Sequence, residues 1–252
     1  MYQNSRGLVK LYGSSLYPRH IYRRSLEKRG LRYTVFVGDG DSSSYRSVIK
    51  QNIYGPDIKI TKENCVGHIQ KRMGNKLRKI VQENKGRKLD DGKCISGRGR
   101  LTHKVIDSFQ VFYGIGLRTN KGNLDAMQKA TRAIIAHYSA TPENPTHDLC
   151  PNGEDSWCKF QVDKAQGTDT YKFPKYPLPV AVTKEIEPII EELSSESLLK
   201  TCQMGLTQNA NEACHSILWK LVSKRQYNSE SAYRLSTAMT VGHWKLGPGG
   251  FQ

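Results

Sequence analysis

The run Val35-Phe36-Val37, ending at Gly38 and Asp39, constrains the fold more than any other stretch of this chain. Consecutive β-branched and aromatic residues without a polar alternate read as a short strand buried on both faces, so other elements must cover it from both sides. The flanks supply them. SLYPRHIYRRSLEKRG reads as a helix that begins near Pro18 and stops at Gly30, and Asp41 or a following serine caps a second helix running to about residue 53. A second short strand is expected at Ile58 to Ile60, then a strongly basic amphipathic helix from about Val66 to Asn84. Helix, strand, helix, strand, helix is the grammar of an α/β layer.

Beyond residue 85 the composition changes. KLDDGKCISGRGR is a Gly-rich basic loop, and most of the remaining chain reads as helix, with spans near 101–114, 122–139, 178–193, 195–203 and 208–222. Between the second and third of these lies SATPENPTHDLCPNGEDSWCKFQ, a long Pro-, Asn- and Gly-rich loop of the kind that is functional or tied down by something.

Charge and cysteine usage narrow the function classes. The 39 Lys and Arg against 23 Asp and Glu leave a formal charge of +16, which favours a polyanionic partner, with nucleic acid first. Lys71, Arg72, Lys76, Arg78 and Lys79 on the basic helix, with Arg98 and Arg100 in the following loop, are the expected phosphate-gripping residues. No apolar run approaches the roughly 18 residues of a membrane span, and the first residues lack the apolar centre of a signal peptide, so a soluble intracellular chain is expected. Six scattered cysteines are then thiols or metal ligands.

Four segments could carry chemistry. Asp39 follows a buried parallel-type strand at its carboxyl end, where open α/β sheets place ligands, although Asp-Gly-Asp-Ser is equally good turn chemistry. Cys65 and His68 open the basic helix on one face, as half of a metal site or as packed core groups. Asn209, Asn211 and Glu212 lie at the start of a late helix, where a glutamate also complements the helix dipole. HDLCPNGEDSWC supplies His147, Cys150 and Cys158, with His137 or Cys202 as a fourth ligand; a structural zinc would hold a loop with little apolar surface to bury, and the alternative is buried thiols in a loop pinned by Trp157.

Taken in order, GDGDSSSY, CVGHIQKR, LCPNGEDSWCKFQ and TQNANEACHSILWK resemble the Mutator-like transposase domain of arthropod transposon-derived proteins, over about residues 20 to 222. The resemblance implies an α/β fold: an RNase H-like core of a DDE transposase interrupted by a large, mostly helical insertion. It implies three carboxylates holding two Mg2+ or Mn2+ ions, one activating water or a DNA 3′ hydroxyl and the other stabilising the leaving oxygen. On this chain Asp39 matches the second acid, with Asp41 as the alternative ligand, and Glu212 the third. Cys65 and His68 match a C-x-x-H motif that buttresses the site, and Asn209 and Asn211 flank Glu212.

The family's first acid has no counterpart in residues 1 to 30, which points to an N-terminally truncated core that is inactive as it stands. The implied organisation is 1–85 as the N-terminal part of that core, 86–205 as basic loop and helical insertion, 206–240 as the returning core helix and a C-terminal helix, and 241–252 as a disordered tail. DNA is the expected partner, the nucleus the expected location, and an oligomer is compatible with both. The alternative is a basic DNA-binding module, derived from a transposase, that does not cut.

Overall fold

The computed structural model describes residues 17–38, 43–223 and 228–246. The chain forms two compact units, one up to Leu206 and one from Thr207 onward. The first begins with α1 (Tyr17–Arg29), β1 (Val35–Gly38), α2 (Ser43–Lys50), β2 (Thr61–Asn64) and α3 (Val66–Glu83). It continues with α4 (His103–Thr119), α5 (Leu124–Ser139), α6 (Lys159–Gln166), α7 (Val180–Leu193) and α8 (Glu196–Lys200). The second consists of α9 (Asn209–Leu221) packed with α10 (Glu230–Leu246).

β1 is buried along its whole length, as its composition requires. Phe36 packs on one face with Tyr22, Val48 and Ile60, while Val35 and Val37 pack on the other with Cys65, Met204 and Leu206. β2 runs parallel to it, with Val35 opposite Thr61 and Gly38 opposite Asn64, and among the described residues these are the two strands of the sheet. The second strand therefore lies three residues later than the apolar Ile58–Ile60 stretch suggests. Ile60 instead anchors the approach to the strand, buried under Phe36 and accepting a hydrogen bond from the Tyr45 hydroxyl at 2.9 Å. The paired residues themselves are the polar TKEN.

The main core is helical. Val66, Ile69, Met73 and Leu77 of α3 meet Ile106, Phe109, Tyr113 and Leu117 of α4, and α5 and α7 close over them with Met127, Ile134, Val182, Ile186 and Ile190. Spacings of three and four put each set on one helix face. Thr102 caps α4 by accepting from the Val105 amide, and Asn123 caps α5 by accepting from Ala126. α4 runs five residues past the expected end, and Gly114 and Gly116 within it lie at helix contacts: a side chain at Gly114 would collide with Gln70 of α3, and one at Gly116 would press on Ala130 of α5.

The α3–α4 seam carries a reciprocal clasp. Gln110 of α4 lies over Gly74 of α3 and accepts from Arg78, while Gln70 of α3 lies over Gly114 of α4 and accepts from Arg118 at 2.5 Å. In each half the arginine sits four residues after the glycine, so one turn of the same helix supplies both the gap and the clamp.

Three further elements differ from expectation. α6 lies at the end of the segment read as one long loop, α8 is shorter than 195–203, and residues 241–246, expected to belong to a disordered tail, are the last turns of α10. Among the described residues no helix is long and apolar enough to cross a membrane.

Candidate metal centre and acidic positions

α5 ends by carrying His137 in its last turn toward the next segment of the chain. That segment returns at once: the Thr146 hydroxyl donates to the Ala136 carbonyl at 2.7 Å, which ties the chain just before His147 back to α5. The amide of Cys150 donates to His147 O at 3.0 Å, closing a tight turn that points both side chains the same way. Cys158 occupies the N-cap position of α6 without using its side chain as a cap, so its sulfur is free for another task.

These four side chains converge. His137, His147, Cys150 and Cys158 place one potential ligand atom each within 4.8 Å of all the others, and among the described residues this is the His/Cys/Asp/Glu group placed to hold a metal ion. The two histidine Nδ1 atoms are 3.3 Å apart, and His147 Nδ1 lies 3.7 Å from Cys150 Sγ and 3.5 Å from Cys158 Sγ. Cys150 Sγ is 3.8 Å from His137 Nδ1. Sequence alone left the fourth position to His137 or Cys202; the structure brings in His137 and buries Cys202 in the helical core.

The surroundings hold the rings rigidly. His147 is fully buried, stacked on Phe160 at 4.5 Å, and its backbone carbonyl accepts from Gln161 Nε2 at 2.7 Å. Trp157 stacks on Phe112 of α4 at 4.3 Å and meets the His137 ring edge-on at 4.9 Å. Beyond α6, the buried Asp163 carboxylate gathers the next turn by accepting from the Thr170 amide at 2.6 Å, from the Tyr171 amide and from the Thr168 hydroxyl. That turn delivers Tyr171 and Phe173 against the His147 ring.

The protonation balance is unusual. A hydrogen bond from Cys150, with further help from His137 and the Gln161 amide, overcomes burial and draws the Cys158 thiol below the ordinary thiol range. The same pairing and burial push Cys150 up, and burial pushes His147 down toward the neutral imidazole. A neutral imidazole and a ready thiolate are the forms that bind metal.

The other candidate positions are spread more widely. Asp39 and Asp41 lie outside the described residues, directly after Gly38 at the carboxyl end of β1. Cys65 is buried beside that end, its amide donating to Gly38 O at 2.8 Å, while His68 is half-buried one turn into α3. Cys65 and His68 belong to no metal-sized cluster among the described residues. Glu212 is half-buried in the first turn of α9, its amide donating to Gln208 O at 2.9 Å; Asn209 precedes it on the exposed side and Asn211 is half-buried.

One acid was missed by sequence reading. Glu63 of β2 is buried in register with Val37, its carboxyl raised by burial, with the Met204 amide 3.5 Å away. The signal was present: once TKEN is the strand, Glu63 faces the same side as Val37.

Of the basic residues expected to grip phosphate, several have acidic partners. Lys76 pairs with Glu192 at 2.7 Å, Arg78 with Asp107 at 2.6 Å and Lys79 with Glu83 at 3.5 Å, all at exposed positions that leave room for exchange. Arg100 departs from the expectation. Its side chain is buried and forked onto Asp91, where it ties the Gly-rich loop together and lowers the Asp91 carboxyl. Lys71 is exposed and Arg72 half-buried. Arg98 is exposed and lies 4.8 Å above the ring of Tyr176, a ring that Lys175 also approaches at 5.7 Å.

A family model for Mutator-like transposases matches residues 17–158, more than half of the chain. The chain belongs to the Mutator-like transposase family. The matched span contains β1, the Cys65 and His68 pair and all four residues of the His/Cys cluster, and ends at Cys158; Glu212 lies beyond it. Searches of curated proteins and of solved structures return no match.

Proposed function

We propose that this transposase-family chain acts on DNA, as part of an RNase H-like DDE enzyme that cleaves and joins phosphodiester bonds by two-metal chemistry. The family match over residues 17–158 carries the reading. Supporting it are a buried strand whose carboxyl end leads directly into Asp39, and the formal charge of +16. Asp39, with Asp41 as the alternative, and Glu212 supply two carboxylates for Mg2+ or Mn2+. Hard oxygen ligands suit these ions, which offset the repulsion between neighbouring carboxylates. Asn209 and Asn211 orient Glu212, and Cys65 and His68 support the β1 end. Lys71, Arg72, Lys76, Arg78, Lys79 and Arg98 hold the phosphate backbone, the work is done in the nucleus, and assembly on two DNA ends makes an oligomer useful.

A second reading, a DNA-binding module that does not cut, rests on the same basic surface without the acids. Incubating the protein with transposon-end DNA and Mn2+ separates the two. Nicking that disappears in Asp39→Asn and Glu212→Gln supports catalysis, and salt-sensitive binding without nicking supports the module. Absence of salt-sensitive binding removes both.

A further inference from the structure

We propose that His137, His147, Cys150 and Cys158 bind one Zn2+ as a closed structural centre that fastens the 141–178 segment to the end of α5. The proposal stands on geometry and holds whether or not the chain cuts DNA. Zinc bonds of about 2.0–2.1 Å to nitrogen and about 2.3 Å to sulfur, set at tetrahedral angles, require edges of about 3.3 Å between nitrogens and about 3.6 Å between nitrogen and sulfur. The cluster has a nitrogen–nitrogen edge of 3.3 Å and nitrogen–sulfur edges of 3.5, 3.7 and 3.8 Å. Side chains from a helix end, a tight turn and a helix start thus match four of the six edges of a zinc tetrahedron, and all six lie within 4.8 Å.

Chemistry points the same way. A cation at their centre accepts a lone pair from all four atoms at once, which the hydrogen bonds between them cannot do. His147 Nε2 and Trp157 Nε1 are buried without hydrogen-bond partners, so the polar network of this pocket is incomplete. Two sulfurs and two imidazole nitrogens in tetrahedral array select zinc over magnesium, which prefers six oxygens. All four positions are filled by protein, and Cys150, Cys158 and His147 are buried, so no site remains for a reacting water. The role is therefore structural. When zinc binds, both cysteines enter as thiolates, and the thiol proton shared between them passes to solvent.

The segment has a need for such a fastening. Its apolar cluster is small, Cys150 and Cys158 with Trp157 and Phe160 beside them, packed on Ala133 of α5, whereas the helical core engages five helices. Through Asp163 and the ring of His147, the centre also fixes Tyr171 and Phe173, a few residues before Lys175 and Tyr176 reach the exposed Arg98.

The test uses the full 252-residue chain, purified with reductant and without added metal. Elemental analysis is expected to find about one zinc per chain. Cobalt(II) titrated into the stripped protein should give the intense visible bands of a tetrahedral site and a thiolate-to-metal charge-transfer band. Cys150→Ser and Cys158→Ser should each lose the stoichiometric zinc and the charge-transfer intensity, while Cys94→Ser and Cys214→Ser, outside the cluster, keep both. Should the cluster variants fail to fold, the wild-type metal content and cobalt spectrum still decide. Zinc below about a tenth of an equivalent together with an octahedral cobalt spectrum overturns the proposal, as does a Cys150–Cys158 disulfide that persists through purification in reductant.

Discussion

The helical core and the 141–178 segment, neighbours in one compact unit, solve the same problem with different means. α3, α4, α5 and α7 present apolar faces at helical spacing and need little beyond burial, apart from a few satisfied polar groups such as the Tyr113 hydroxyl donating to Leu193 O at 2.8 Å. The 141–178 segment has too few apolar side chains for that, and is organised instead around an imidazole–thiol cluster and one buried carboxylate. Cohesion by area is spread over many residues and degrades gradually. Cohesion by a few polar centres is concentrated, and fails when one of them is removed.

The contrast can be broken first in the core. Phe109→Ala removes a fully buried ring at the centre of the helical cluster, and about 3–5 kcal/mol of global stability should go with it in urea unfolding followed by circular dichroism. A loss below about 1 kcal/mol would mean the helices are held by something other than their packed faces.

Next in size is removal of the metal centre. Cys158→Ser, or chelation of the wild type, should strip hydrogen-exchange protection from residues 141–178 while α3 and α4 keep theirs, because none of the four cluster residues belongs to the core those helices share. Equal loss in both regions would show that the two are one cooperative unit.

Asp163 offers a smaller, titratable break. Burial alone would raise its carboxyl, but hydrogen bonds from Thr170, Tyr171 and Thr168 outweigh it and hold the group below the usual range. The contribution of this turn is therefore complete above the ordinary carboxylate value of about 3.9 and disappears as pH falls through the lowered native value. Protection of the Thr170 and Tyr171 amides relative to their intrinsic exchange rates, followed by NMR, should fall on acidification and in Asp163→Asn without disturbing α4. The smallest effect is expected at Lys76→Ala, which breaks an exposed pair with Glu192 and should cost less than about 1 kcal/mol in the same urea assay.

The sequence disclosed elements whose own residues state their environment. Val35–Val37 could only be a buried strand, and the 3–4 spacing along Val66–Leu77 could only be an amphipathic helix. β2 was misplaced because its residues are polar and its identity comes from the partner strand, which local composition does not record. α6 was hidden because KFQVDKAQ has a weak apolar face and starts at a cysteine whose side chain serves the cluster, so no capping signal announced it. Three members of the His/Cys cluster were legible from proximity in the loop. The choice of His137 over Cys202 depended on how α5 is aimed, a property of packing. Arg100 looked like a surface cation because its partner Asp91 lies across a Gly-rich turn whose shape cannot be read from composition.

The clasp between α3 and α4 also governs how the two helices are seated. Because Gln110 sits over Gly74 and Gln70 over Gly114, each helix carries half a lock and half a key, and a slide of one turn would set a long side chain where the backbones meet. The seating of the hairpin is thus written into the two helices and not into the connection between them. A protease cut at the exposed Gly97–Arg98 bond should leave two chains that remain assembled and travel together until denatured.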